Sequence, residues 1–174
     1  ACRREDDDIR WLVALISDTG MRLAEAAGLL YSDFDLSGAI PVVHVRPNAA
    51  RGLKTESSQR TLPLVGQSLW AANRIVAVTE PGDFAFARYN RGAVTNSNSA
   101  SASINKWLRP FMSENCSLHS FRHSMRDRLR AVECPADIVD QIGGWTTGGI
   151  GHSYGKGYPV AVLERWLRKA TAPQ

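Results

Sequence analysis

Four short stretches of the chain hold the residues able to do chemistry on an anionic ester. They are Thr19-Gly20-Met21-Arg22-Leu23-Ala24-Glu25, Leu53-Lys54-Thr55 ahead of Arg60-Thr61-Leu62-Pro63-Leu64, His119-Ser120-Phe121-Arg122-His123, and Gly143-Gly144-Trp145 followed by Tyr154. A phosphodiester gains charge on its non-bridging oxygens as a pentavalent transition state forms. Fixed cationic donors aimed at those oxygens are then the main source of stabilisation. Arginine suits that task because its planar fork is always charged and can bond an oxygen pair. Arg22 follows a Gly turn at a helix start, where backbone N–H groups also favour an anion. Arg122 comes one turn after His119, so the spacing puts both on one helix face. A tyrosine can attack such a centre without a metal, given help in losing its proton. Taken singly, each residue has an ordinary alternative. Arg22 and the His119/Arg122 pair could be solvated surface, Lys54 an edge charge, and Trp145 and Tyr154 packing residues. Only the ordered set specifies the chemistry.

The elements that must position these groups read as mostly helical. Asp6, Asp7 and Asp8 precede an apolar pattern through Ile9, Trp11-Leu12-Val13 and Leu15-Ile16, which predicts a helix that Gly20 stops. A second short helix is expected from Arg22 to Leu30. The period then changes. Residues 39–45 are rich in β-branched side chains and read as a strand. Leu53-Lys54-Thr55, residues 56–59 and residues 60–64 read as strand, turn and strand. Pro41 and Pro63 point to a small sheet with exposed edges. Helical patterning returns from Gly66 to Thr79. Residues 84–103 read as a loop feeding a helix that carries Ile104, Trp107, Leu108 and Phe111. Three more helices are expected over 119–132, 135–142 and 159–170, with Pro135 and Pro159 in first turns. The fold class this predicts is α+β, mostly helical, with a three-stranded antiparallel sheet in the N-terminal third.

The whole chain bounds the reading further. With 174 residues, 44% of them hydrophobic, it suits one well-buried domain and is short for two. A formal net charge of +4 is compatible with a polyanionic partner without requiring one. Cys2, Cys116 and Cys134 have no metal-ligand spacing, and three suits free thiols better than a disulfide framework. No apolar run approaches the roughly 18 residues of a membrane span, and the charged opening residues 1–8 lack a signal-peptide pattern. The expectation is an intracellular, cytoplasmic protein.

The ordered motifs resemble the catalytic domain of the tyrosine recombinase (phage integrase) family. Residues 19–25, through Leu29 and Ser32-Asp33-Phe34-Asp35, are similar to that family's first arginine box. Lys54-Thr55 leading into residues 60–64 resembles its β-hairpin lysine segment, and residues 118–124 its HxxR box. Ile142-Gly143-Gly144-Trp145, with Tyr154 nine positions after Trp145, resembles its final box and nucleophile. The likeness runs from about Ile9 to about Leu167. Trp145 stands where many members have histidine. Its indole N–H can donate a hydrogen bond but cannot shuttle a proton, so positioning and packing are its expected work.

The resemblance implies a site-specific DNA recombinase or integrase catalytic domain over residues 1–174, with the usual N-terminal core-binding domain absent from this chain. Its partner would be double-stranded DNA. Protomers would assemble, as a tetramer, through the C-terminal helix bearing Val160, Val162, Leu163, Trp166 and Leu167, though the sequence leaves open whether that helix packs in cis or in trans. Tyr154 would form a 3′-phosphotyrosine link, with no cofactor, no metal and no ATP. Arg22 and Arg122 would clamp the phosphate, His119 would act as base or hydrogen-bond partner for the phenol, and Lys54 would protonate the leaving 5′-oxygen. Glu25 would orient Arg22, and His123 would support the site. Tyr158 is the rival nucleophile, whereas His44 and His152 read as structural or surface groups. Type IB topoisomerase-like relaxation, a non-catalytic DNA-binding module and a metal-dependent nuclease are the competing functions.

Overall fold

The structure is a computed structural model that describes residues 1–92, 94–145 and 157–172. Its centre is a helix that is apolar nearly all round. α2 (Asp8–Thr19) buries Trp11 through Ile16 without a break, the pattern of a helix surrounded by other elements. The Asp7 side chain caps its start by accepting from the Arg10 N–H, and the short α1 (Cys2–Glu5) precedes it. Gly20 ends α2 at φ 65°, with its N–H on the Ile16 carbonyl. A Cβ at Gly20 would also stand 3.0 Å from the Met125 side chain. Glycine therefore allows both the left-handed turn and the close approach of the helix bearing Met125.

α3 (Leu23–Ala27) is shorter than the expected helix over 22–30. The sheet follows, antiparallel throughout in the order β1 (Phe34–Asp35), β2 (Val42–Val45), β3 (Arg60–Pro63). Val43 sits opposite both Phe34 and Leu62, and Val43, Val45 and Leu62 turn into the core. α4 (Gly66–Val78) lies along α2, with Ala71, Ala72 and Ile75 buried between them. Asp18, near the end of α2, accepts the Gln67 N–H at 2.7 Å and so fixes the start of α4.

α5 (Ser97–Leu108), α6 (Ser120–Ala131) and α7 (Ala136–Gly143) complete the middle of the chain. α8 (Val160–Thr171) buries Leu163, Leu167 and Ala170 against β3, α6 and α2 of its own chain. The fold is thus α+β and mostly helical around a small three-stranded antiparallel sheet, as the patterning predicts.

Several boundaries differ from expectation for identifiable reasons. Residues 53–55 form no strand. The Thr55 hydroxyl bonds the hydroxyls of Ser57 and Ser58 at 3.0 and 2.9 Å, and the Ser58 N–H donates to the Thr55 carbonyl. Local side-chain bonds thereby fold the segment into a 3-10 turn (Glu56–Ser58) instead of a ladder. The third strand is Phe34–Asp35, too short to show alternation. The loop expected through Ser103 is helical from Ser97, because Asn96 accepts the Ser99 N–H and Ala100, Ile104 and Leu108 share one buried face. Pro110 ends that helix in a 3-10 turn, Arg109–Phe111, so Phe111 lies beyond it. Pro135 and Pro159 are cap residues just before α7 and α8, one position earlier than expected. Cys2, Cys116 and Cys134 are free thiols.

Candidate active site

The site begins at the turn between α2 and α3. Arg22 is the extended cap residue of α3, and Glu25, three positions on, accepts its backbone N–H at 2.9 Å. The same carboxylate accepts from Arg22 Nη1 at 2.6 Å. Arg22 also donates to Ser58 Oγ at 3.0 Å and to the Gly144 carbonyl at 3.3 Å. One guanidinium thus ties together α3, the turn after Lys54 and the end of α7. With 24% of its side-chain surface open, it can still meet a ligand.

Glu25 is 3% exposed, and Arg60 explains how a buried carboxylate stays charged. Arg60 Nη2 donates to Glu25 Oε2 at 2.9 Å, Nη1 to the Ser58 carbonyl at 2.6 Å and Nε to the Ile142 carbonyl at 2.9 Å. Burial alone would raise the Glu25 carboxyl. Arg60 and then Arg22 outweigh it and hold the group below its ordinary value. Sequence reasoning placed Arg60 only in a strand. Two of its three acceptors lie 35 and 82 positions away, so no local pattern could have announced the role.

α6 supplies the opposite wall. Arg122 is 4% exposed and donates from Nη1 to the Gly20 carbonyl at 2.6 Å. Its Nη2 is buried and has no hydrogen-bond acceptor among the described residues. Burial, followed by the charges of Arg22 and Arg60, lowers its pKa to about 10, so it remains cationic at neutral pH. His119 immediately precedes α6 and lines one cleft with Arg122, Met21 and Leu23. The His123 ring stands edge-on to that of His119, with centroids 4.9 Å apart. Partial burial, then His123, Arg122 and Arg22, push the His119 pKa down. A neutral imidazole able to accept a proton is the result.

Trp145 closes this wall. Arg122 Cζ lies 4.4 Å from its ring centroid and Arg126 Cζ 5.2 Å, within cation–π range. A Cβ on Gly143 would lie inside the indole, so the ring's position depends on glycine there. Arg126 was not foreseen. Its i+4 spacing from Arg122 is the signal that would have found it.

Arg22, Glu25, His119, Arg122, His123 and Trp145 are therefore gathered by α3, α6 and the end of α7. Lys54 is not in hydrogen-bond contact with them. It is exposed on the bend before Thr55, whose hydroxyl leads through Ser58 to Arg22. Tyr154 and His152 lie outside the described residues. His44 bonds Thr61 across β2 and β3 at 2.9 Å, a structural role. Tyr158 is docked on α7. Its phenol donates to Asp137, its N–H donates to Gln141 Oε1 at 2.7 Å, and its carbonyl accepts from Gln141 Nε2 at 3.0 Å. The bond to Asp137 raises the phenol's pKa. Asp137 is also roughly 10 Å along α7 from the Gly144 end, at 1.5 Å per residue. Among the described residues no three His, Cys, Asp or Glu side chains form a group that could hold a metal ion, and no helix is long and apolar enough to cross a membrane.

The sequence model described as the phage integrase family matches residues 2–156. No curated protein and no solved structure matches the chain.

Proposed function

Because the chain belongs to the phage integrase family, and is thus a tyrosine recombinase domain that acts on DNA, we propose that it cuts and rejoins DNA strands with Tyr154 as nucleophile. The observation that carries this reading is the buried Nη2 of Arg122, without an acceptor among the described residues, beside Arg22 and His119. A donor left without an acceptor in the interior costs about 1–3 kcal/mol. A phosphate oxygen would satisfy it, and the second guanidinium would share the developing charge.

In this reading the Tyr154 phenolate oxygen attacks phosphorus as the bond to the 5′-oxygen breaks. The phenolic proton passes to His119, whose lowered pKa keeps it neutral and available. Lys54 gives a proton to the departing 5′-oxygen, and its exposed bend lets it reach across to bound DNA. The phosphotyrosine conserves one ester bond for another, so a 5′-hydroxyl can reverse the step with neither ATP nor metal. Two facts favour Tyr154 over Tyr158. The Tyr158 phenol is committed to Asp137, and its pKa is raised where a nucleophile needs it lowered.

Assembly of four protomers on DNA belongs to the same proposal. α8 buries Leu163, Leu167 and Ala170 within its own chain, and Val162 and Trp166, packed partly on the same core, keep an exposed remainder as its apolar surface for a neighbour.

The test is covalent trapping on nicked duplexes in EDTA. A denaturant-resistant protein–DNA adduct is expected from the wild type and none from Tyr154→Phe. An adduct that survives in Tyr154→Phe would move the nucleophile elsewhere.

A further inference from the structure

Resting on the reading of Tyr154 as nucleophile, we propose that Gln141, with Asp137 and Gly157, forms a latch on α7 that fixes the chain just beyond Tyr154. This makes Gln141 a positioning residue for strand cleavage. The carboxamide closes two hydrogen bonds on one residue's backbone, accepting the Tyr158 N–H at 2.7 Å and donating to the Tyr158 carbonyl at 3.0 Å. Asp137, one helical turn earlier on the same face of α7, receives the Tyr158 hydroxyl. Gly157 has φ +73°, and a Cβ there would stand 3.1–3.2 Å from three carboxamide atoms. Any side chain at 157 would meet both backbone strain and the latch itself.

α7 is a firm base for such a device, since Ile138, Val139 and Ile142 root it in the core. Its other end holds Trp145, whose N–H donates to the Asp140 carbonyl at 3.0 Å. Both borders of residues 146–156 are therefore attached to one helix. The two attachments differ in reach. At no more than ~3.6 Å of chain per residue, Tyr158, four positions from Tyr154, is a nearer attachment along the chain than Trp145, nine positions away. The latch is the shorter tether and bounds where the phenol can go. Misplacing a reacting group by about 1 Å can cost 10²-fold in rate.

Single-turnover adduct formation on a pool of nicked duplexes of randomised sequence tests this, alongside DNA affinity and thermal midpoint. Gln141→Ala is expected to slow adduct formation about 10- to 100-fold with affinity and thermal midpoint unchanged. Gln141→Glu should be slow near neutral pH, where its carboxylate repels the Tyr158 carbonyl. It should recover relative to wild type as the pH falls and the protonated acid regains a donor. Equal rates for wild type and Gln141→Ala would overturn the latch alone. Parallel losses of rate, affinity and thermal midpoint would overturn it in favour of a packing role. No adduct from the wild-type chain would overturn the nucleophile reading and the latch with it.

Discussion

Arg60 and Arg122 are both buried and close enough to feel each other's charge, yet the structure treats them oppositely. All three nitrogens of Arg60 donate, one to a carboxylate and two to backbone carbonyls. Among the described residues, Arg122 has a single acceptor, an aromatic face beneath it and one buried donor without a partner. The first arrangement consumes the guanidinium's bonding capacity within the fold. The second leaves part of it for something that arrives later. What separates the two arginines is the inventory of acceptors among the described residues, since both are almost closed to solvent; the proposed phosphate contact of Arg122 rests on that difference.

Three substitutions would sharpen or break that contrast. The largest effect is expected from Arg60→Ala, which leaves Glu25 buried with only Arg22. Removing one partner of a buried ion pair costs about 3–5 kcal/mol, and the surviving Arg22 bond places this case toward the lower end. Denaturant unfolding measures it; a loss below 1 kcal/mol would put Arg60 in the same class as Arg122. Next comes Arg122→Met, which keeps bulk but removes charge. Adduct formation should fall about 10²–10³-fold, while unfolding free energy stays within about 1 kcal/mol of wild type. A stability loss matching that of Arg60→Ala would erase the distinction.

The smallest effect concerns acid. Glu25 is held below its ordinary value of 4.5 in the folded chain. Its ion pairs therefore contribute fully above pH 4.5 and are lost as pH falls through the lower folded value. A Glu25→Gln chain should show a flatter stability profile than wild type below pH 4.5 in acid titrations followed by circular dichroism. Identical acid limbs would mean that the carboxylate contributes nothing through its charge.

Much of this contrast was hidden from the sequence, though its ingredients were not. Gly20 before Arg22, the His119/Arg122 spacing and Gly143-Gly144-Trp145 were legible because each is a local pattern with a local cause: a left-handed cap, a shared helix face, a ring lying on a glycine. Arg60 was visible only as a strand residue, since its acceptors come from α3 and α7. Lys54 was misplaced on a strand because three hydroxyl-bearing neighbours, Thr55, Ser57 and Ser58, satisfy one another. Composition shows those hydroxyls without showing that they win. The start of α5 was missed for a related reason. Ser and Asn read as loop residues, yet Asn96 acts as a cap and the buried alanine, isoleucine and leucine behind it set the helix. The α8 pattern showed an apolar side without its partner, and only packing reveals that β3 and α6 receive it.

That docking of α8 has a consequence in time. Arg22 and the strands leave the ribosome before α8, so the surface that covers β3 and α6 is not made until α8 has been synthesised. At about 5–20 residues per second, roughly 7–30 s separate Arg22 from Thr171. Throughout that interval the emerging polypeptide carries Arg22, and later Arg60 and Arg122, without a finished interior to hold them. The interior behind Arg60 and Arg122 is thereby completed only once α8 has emerged and docked, so the folding of this region waits on α8.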